Sequence, residues 1–451
     1  MPTDREPGTT VVLSPPPTPN GPLHLGHLAG PYLAADIAVR AARRRGERVF
    51  ALCGLDDHQN YVLAKARQEG TGVRELRDRY ASLIRGVFDR VGVGHDGFTE
   101  PLDDAGYRSA VAGFLGELVA AGTLPVEEWR TPVCANCPGI AHHAYVSGRC
   151  AHCDGPSGGG TCEGCGSYTP AAALVDPRCT RCGSPATGTR TVTGPVIRLE
   201  EYRWVLQNVW YRAALPPRAR ELAWRLLLSD ELPTVPLSYP TDWGIETDGF
   251  PGQRIDVWAE MGLGYLHTIG RRLEPGATGL AEHVKAWDGV DSVWTFLGLD
   301  NAFYYLALFP ALFAAAGVPQ SVHGGLVVNE FYRLDGAKFS TSRGHAVWAH
   351  ELLEQEDPRA VRAFLSWDRP APHATNFTWE RYRAATAGWS LTAGSGSPDP
   401  AELARAEQAL ALETFDSALA ARCLLGATGG TGGTADGLLD VLTGGGTAAG
   451  A

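Results

Sequence analysis

The sequence predicts an α/β fold built on a parallel sheet that is split in two by a metal-held insertion. Three observations carry this expectation. Strand–helix–strand patterns occur twice, over residues 10–55 and again over 292–328. Between them, eight of the ten cysteines crowd into positions 134–182. Each half also carries one short motif, His24-Leu25-Gly26-His27 in the first and Lys338-Phe339-Ser340-Thr341-Ser342 in the second.

The first pattern begins with an apolar strand, Thr10 to Leu13. Pro15, Pro16 and Pro17 follow and force an extended loop. Leu25 to Arg45 is rich in Ala and Arg and reads as one helix. Val49 to Leu55 is a second apolar run, ending at Asp56 and Asp57. Strand, helix and strand over so short a span make a βαβ unit, hence a parallel sheet. Ligands bind such sheets beyond the carboxyl ends of the strands, where both His24-Leu25-Gly26-His27 and Asp56-Asp57 fall.

Residues 58–122 read as helices. Residues 131–192 are rich in Cys, Gly and Pro, and Trp204 to Leu232 is helical again. Ser292 to Leu297, a helix from Asn301 to Ala316, and Ser321 to Val328 form the second unit. Pro400 to Leu425 reads as one helix. The Gly-, Ala- and Thr-rich stretch 426–451 is expected to be mostly disordered.

Composition narrows the function. With 451 residues and 44% hydrophobic content, the chain has material for two or three domains and a sizeable core. No run approaches the roughly 18 apolar residues of a membrane helix, and Met1 to Thr10 lacks a signal-peptide centre. A cytoplasmic enzyme with no membrane partner is expected. The net charge of −11 argues against a large nonspecific nucleic-acid footprint. The run Arg43-Arg44-Arg45 reads as a solvated helix end.

A helix N-terminus gathers unpaired N–H groups and positive potential. His24 and His27 placed there would donate to triphosphate oxygens, and Gly26 would let an adenine ring approach the backbone. A loop carrying Lys338, hinged at Gly336 and Gly344, would close over a leaving pyrophosphate. Two histidines three apart are by themselves an ordinary surface pair. Preceded by Pro17-Thr18-Pro19-Asn20-Gly21, and paired with Lys338-Phe339-Ser340-Thr341-Ser342-Arg343-Gly344, they become specific.

On these residues the chain resembles the methionyl-tRNA synthetases over about residues 9–390. His24-Leu25-Gly26-His27 looks like the HIGH motif of class I synthetases, and Lys338 to Ser342 like an altered KMSKS. Asp56-Asp57, Leu174-Val175-Asp176-Pro177, Asp256-Val257-Trp258, Phe296-Leu297-Gly298-Leu299-Asp300, Val322-His323-Gly324 and Asp335-Gly336-Ala337-Lys338 add to the likeness. The resemblance implies a Rossmann-like catalytic domain of the HUP type in two halves, 1–122 and 246–350. A connective insertion at 123–245 would part them. A helical stem-contact-like segment at 351–395 and a short helix with tail at 396–451 would follow. It implies ATP with Mg²⁺, and an amino acid activated as its adenylate. His24, His27, Lys338, Ser340 and Arg343 would act on the phosphates. Asn20, Gly26, Gly298 and Asp300 would hold the nucleotide. Asp57, in preference to Asp56, would hold the substrate ammonium. Pro16, Thr18, Trp258, Gly262, Tyr265, Asn301 and Tyr305 would shape the side-chain pocket.

Three departures from the family pattern stand out. Thr341 replaces the second Lys of KMSKS, so a hydroxyl stands where the family has a charge. The pocket changes at Pro16, Thr18, Gly262, Asn301 and Tyr305; a polar Asn301 in an apolar pocket demands a partner, so methionine is not the expected preferred substrate. About 55 residues follow Ser395, where the family carries an anticodon-binding domain of well over a hundred, so the usual anticodon reading is not expected. The expected acceptor is therefore a small molecule, for example an N-hydroxylated amine such as N6-hydroxylysine, in a natural-product pathway that builds an N–N bond with a separate cupin partner. A minimal tRNA ligase contacting the acceptor stem, and an inactive nucleotide- or RNA-binding scaffold, remain as alternatives.

The cysteines form four Cys-x-x-Cys pairs: Cys134/Cys137, Cys150/Cys153, Cys162/Cys165 and Cys179/Cys182. Eight thiolates satisfy two structural Zn²⁺ ions. Spacing leaves their pairing open, with His142, His143 and His152 as alternative ligands. The family resemblance groups Cys150, Cys153, Cys162 and Cys165, leaving the other four for an outer ion. Cys53 and Cys423 read as buried thiols.

Overall fold

The computed structural model describes residues 8–339, 344–389, 391, 399–425 and 434–444. Its centre is a five-stranded sheet in the order His323–Asn329, Val290–Gly298, Thr9–Leu13, Val49–Gly54, Gly97–Thr99, with every neighbouring pair parallel. The central strand buries Val11, Val12 and Leu13, as a strand covered on both faces must. Two strands separated by nearly 280 positions lie side by side, Val11 opposite Val293 and Leu13 opposite Thr295. The split parallel sheet expected from the sequence is present. Its fifth strand, Gly97–Thr99, was too short to show as an apolar run.

The expected helix Leu25–Arg45 is broken. Leu25–His27 is a single turn, a wide turn follows over Leu28–Tyr32, and the regular helix runs Leu33–Arg44. Pro31 has no N–H to give, and Gly30 leaves helical geometry at ψ −113°.

The insertion stands on an antiparallel ribbon, Val126–Val133 against Gly188–Arg198, that pairs Val126 with Pro195 and Val133 with Gly188. The cysteine-rich segment hangs from its far end. The helical stretch expected at 204–232 is two helices, Arg203–Arg212 and Pro217–Leu227, parted by Pro216-Pro217.

The C-terminal expectations need correction. Pro400 to Leu425 is not one helix but two, Pro400–Ala409 and Ser417–Leu425. Asp416 accepts from the Leu419 N–H and starts the second. Within the stretch expected to be disordered, Thr434–Thr443 is a helix. Leu438, Val441 and Leu442 pack with Ile37, Ala41, Leu410 and Leu424. Buried Arg362 ties this helix down by donating to the carbonyls of Leu442 (3.2 Å) and Val441 (3.4 Å) and pairing with Asp36 at 2.6 Å. The glycines on either side masked this short apolar face. Among the described residues, no helix is long and apolar enough to cross a membrane.

Candidate active site

A cavity of about 690 Å³ opens beyond the carboxyl ends of the strands. His24, Gly26 and His27 come from the turn after the strand Thr9–Leu13, Gly298, Asp300 and Asn301 from the end of the strand Val290–Gly298 and the turn after it, and Lys338 from a hairpin further along the chain. Pro16, Thr18 and Trp258 complete the expected residues on its wall. Ser340, Thr341 and Arg343 lie outside the described residues.

The two histidines stack with ring centroids 3.8 Å apart, and Phe339 stacks on His24 at 4.8 Å. Burial pushes His27 down to about 4, so the ring is neutral at pH 7. The backbone N–H of His24 donates to His27 Nδ1 at 3.1 Å, which places the proton on Nε2. Burial, with His27 and Lys338 alongside, holds His24 well below its ordinary value too. Both rings are therefore neutral donors.

A Cβ at Gly298 would lie 2.5 Å from Asp300 Oδ1, so a side chain there would displace that carboxylate. Burial raises the Asp300 carboxyl to about 6, with Glu163 adding to the rise. Glu163 belongs to the knuckle Cys162-Glu163-Gly164-Cys165, yet its carboxylate pairs with Lys338. Thr161 beside it donates to the Asp300 carbonyl. The insertion thus touches both the turn at Gly298–Asn301 and the lysine.

Asp57 requires a correction. Its carboxylate is fully buried and held by both ends of the Arg77 guanidinium, at 2.7 and 2.9 Å, and by the Leu102 N–H at 2.9 Å. It does not line the cavity. Asp56 does, with Oδ2 accepting from Thr18 at 3.0 Å and Oδ1 buried without a partner. Burial and then nearby Glu260 push the Asp56 carboxyl up to about 8. A lone buried carboxyl poised in this way suits an incoming ammonium.

Four more expected residues lie off the cavity wall. Asn20 sits in the turn before the histidines, its N–H donating to the Thr18 carbonyl at 2.9 Å. Gly262 packs its helix, and a Cβ there would meet Leu312 at 2.9 Å and Phe309 at 3.0 Å. Tyr265 and Tyr305 share a hydroxyl hydrogen bond of 2.8 Å and line a small separate cavity behind the site with Leu13 and Phe309. Trp258 stays on the wall, stacked on Tyr304 at 3.6 Å. Residues the sequence reading missed are Gln59, Glu163, Met261 and Asn329. Asn329 ends the last strand, and its buried Oδ1 has no partner; only its position at a strand's carboxyl end could have flagged it.

The thiolates fall into two quartets, Cys150/Cys153/Cys162/Cys165 and Cys134/Cys137/Cys179/Cys182. Cys150–Cys165, Cys153–Cys162 and Cys134–Cys182 lie 3.9, 3.6 and 3.5 Å apart. A tetrahedron with Zn–S bonds near 2.3 Å has edges of about 3.8 Å, whereas a disulfide needs about 2.0 Å. Both quartets fit a zinc ion, in the grouping the family resemblance implied.

This sheet, with a stacked histidine pair at its mouth and a lysine hairpin opposite, defines a class I synthetase type of nucleotide-binding core. The family model for tRNA synthetases class I (M) matches residues 10–387, and the chain belongs to that family. The methionine–tRNA ligase of Porphyromonas gingivalis is 30% identical over 407 residues, covering 84% of this chain and 56% of that protein. The one from Methanobrevibacter smithii is 30% identical over 372 residues, 81% of this chain and 54% of that protein. The chain thus spans about half the length of these curated relatives. The Mycobacterium tuberculosis methionyl-tRNA synthetase, solved in complex with methionyl-adenylate, shares the fold at a TM-score of 0.68 and 18% identity, over 92% of this chain and 82% of that one.

Proposed function

We propose that this cavity activates an amino acid with ATP, taken as its Mg²⁺ complex, to an aminoacyl adenylate. The observation that carries the reading is three polar side chains on the wall of one cavity, His24, Asp56 and Asn329, whose buried Nδ1, Oδ1 and Oδ1 have no hydrogen-bond partner among the described residues. Unpaired buried polar groups are costly, so a polyfunctional polar ligand is the natural partner. Asp56 takes the substrate ammonium. A carboxylate oxygen of the amino acid then attacks the α-phosphorus, and the bond from that phosphorus to the pyrophosphate oxygen breaks. His27 Nε2–H, His24 and Lys338 hold the charge that builds on the phosphates. Both thiolate quartets would be structural zinc sites, and the inner one holds the knuckle that seats Glu163 and Thr161.

Asn301 and Thr18 make the amino-acid end of the cavity more polar than a methionine side chain needs, which supports a different substrate. The acyl acceptor we favour is a small N-hydroxylated amine such as N6-hydroxylysine, with any cupin step carried out by a separate protein. Thr341 in place of a lysine supports a use other than ordinary translation. The likeness to methionine–tRNA ligases across the catalytic region supports a second acceptor, the tRNA 3′ end. Incubation with ATP and labelled amino acid, plus either total tRNA or N6-hydroxylysine, separates the two. Transfer to the small amine with no stable acyl-tRNA is expected. Stable acyl-tRNA as the sole acylated product would reverse the assignment.

A further inference from the structure

A second cavity, of about 630 Å³, lies between the insertion and the catalytic half. Gln59 stands on the wall of both this cavity and the adenylate cavity. At its floor His142, His143 and Asp256 bring one ligand atom each to within 4.8 Å of one another. We propose that these three residues form a third metal site, for a divalent transition ion, separate from both thiolate quartets and with an open position toward the second cavity.

The argument begins with hydrogen positions. The Asn60 N–H donates to Gln59 Oε1 at 3.2 Å, so that atom is an oxygen and not a flipped nitrogen. His143 Nδ1 lies 3.2 Å from the same oxygen and must be the donor. With its hydrogen on Nδ1, the ring presents its Nε2 lone pair on the opposite edge. That lone pair faces Asp256 Oδ2 at 3.8 Å, and His142 Nε2 faces the same oxygen at 3.3 Å. The other Asp256 oxygen is occupied capping its helix through the Trp258 N–H at 3.0 Å. Two imidazole edges and a free carboxylate oxygen therefore converge inside the protein, with a cation the natural group to fill the gap. A carbonyl holding the far N–H of a ligating histidine is the usual outer partner of a metal site.

The separations from Asp256 Oδ2 bracket the spacing an ion needs, and the two stacked imidazoles must part to bring both lone pairs onto it. A tetrahedral ion with bonds near 2.0–2.1 Å spaces its ligands by about 3.4 Å. His142 is stacked between His143 and Tyr239, at 3.6 and 3.7 Å. Asn60 staples the loop from the other side, donating to the His142 carbonyl and accepting from the Ala144 N–H, both at 3.0 Å. Since the thiolates complete two quartets alone, the histidines are not needed there as ligands. Two imidazoles and one carboxylate suit Zn²⁺, Co²⁺, Ni²⁺ or Mn²⁺, and three protein ligands leave room for water or a substrate heteroatom.

The test is metal stoichiometry. The full chain, purified without chelator and dialysed against excess Zn²⁺ and then against buffer, should hold three zinc ions. His143→Ala and Asp256→Asn should each hold two, with Asn keeping an oxygen for the helix cap. Gln59→Leu should weaken the third ion by about 10–100-fold. In a Co²⁺ titration, two equivalents should raise thiolate charge-transfer absorption, and the third should bind without it. Two ions in the wild type under excess Zn²⁺, Co²⁺ and Mn²⁺ alike, or three in the folded His143→Ala variant, would overturn the proposal.

Discussion

Asp56 offers the sharpest perturbation. Its carboxyl is pushed up to about 8 by burial and by Glu260, while the substrate ammonium needs it ionised. The ionised fraction is about 1% at pH 6, about 10% at pH 7 and about 50% at pH 8. Affinity for the amino acid should therefore rise roughly 50-fold from pH 6 to pH 8, one proton being lost from the protein per ligand bound. Asp56→Asn removes a charge-assisted contact of about 1.5–3 kcal/mol. At pH 8 it should weaken binding by roughly 10–150-fold, and it should flatten the pH profile. Equilibrium dialysis with the best substrate, without ATP, reads both effects. The stability signs agree: the folded state holds this proton more tightly than the unfolded state does. The ligand-free protein should lose stability as pH rises from about 4 to about 8, and the amino acid should restore it. Asp57→Asn is the control. It removes one of the four acidic partners of Arg77 and should destabilise folding; the pH dependence of binding should persist, displaced to lower pH because Asp57 helps to raise the Asp56 carboxyl. A flat wild-type profile, or the same slope in Asp56→Asn, would refute the assignment of the ammonium to Asp56.

Further outcomes follow from the same geometry. Glu163→Gln frees Lys338 from an exposed pair worth about 0–1 kcal/mol; unfolding should be almost unchanged, and KM for ATP in pyrophosphate exchange should fall by up to about fivefold. Loss of the inner quartet through Cys162→Ser should raise KM for ATP, because Thr161 beside it holds the Asp300 carbonyl. Cys179→Ser in the outer quartet should leave that constant within about twofold, as steady-state kinetics would show. Removing residues 426–451 deletes Leu438, Val441 and Leu442, uncovers Ile37, Leu410 and Leu424, and strips Arg362 of two carbonyl partners. At about 1.5–3 kcal/mol for each large apolar side chain, thermal unfolding should shift down by several degrees. Thr341→Lys restores a charge for the phosphates and should raise the exchange rate by about tenfold or more.

Much of the fold was legible because its strands are continuous apolar runs between turn signals. The histidine pair and the lysine motif were legible because each is contiguous in sequence. The choice between Asp56 and Asp57 was not. The two are adjacent where the strand Val49–Gly54 gives way to a turn, and only Arg77, twenty positions on, shows which carboxylate is already taken. Gly262, Tyr265 and Tyr305 fall near the pocket in sequence order, yet packing of Gly262 on Leu312 and Phe309 turns that helix face inward. Glu163 reached the site only through tertiary folding, across 175 positions to Lys338. The His142–His143–Asp256 cluster was hidden for the same reason, with its carboxylate more than a hundred positions from its histidines. Glycine-rich flanks concealed the terminal helix, since composition averages over a short face of four apolar residues.

The central claim is adenylate formation in the cavity of His24, Asp56 and Asn329. The most direct measurement is ATP–pyrophosphate exchange driven by each proteinogenic amino acid and by N-hydroxylated ones. Exchange should occur with at least one amino acid other than methionine at a higher rate than with methionine, and His27→Ala should abolish it. Highest turnover with methionine would contradict the pocket reading, and no exchange with any amino acid would contradict adenylate formation itself.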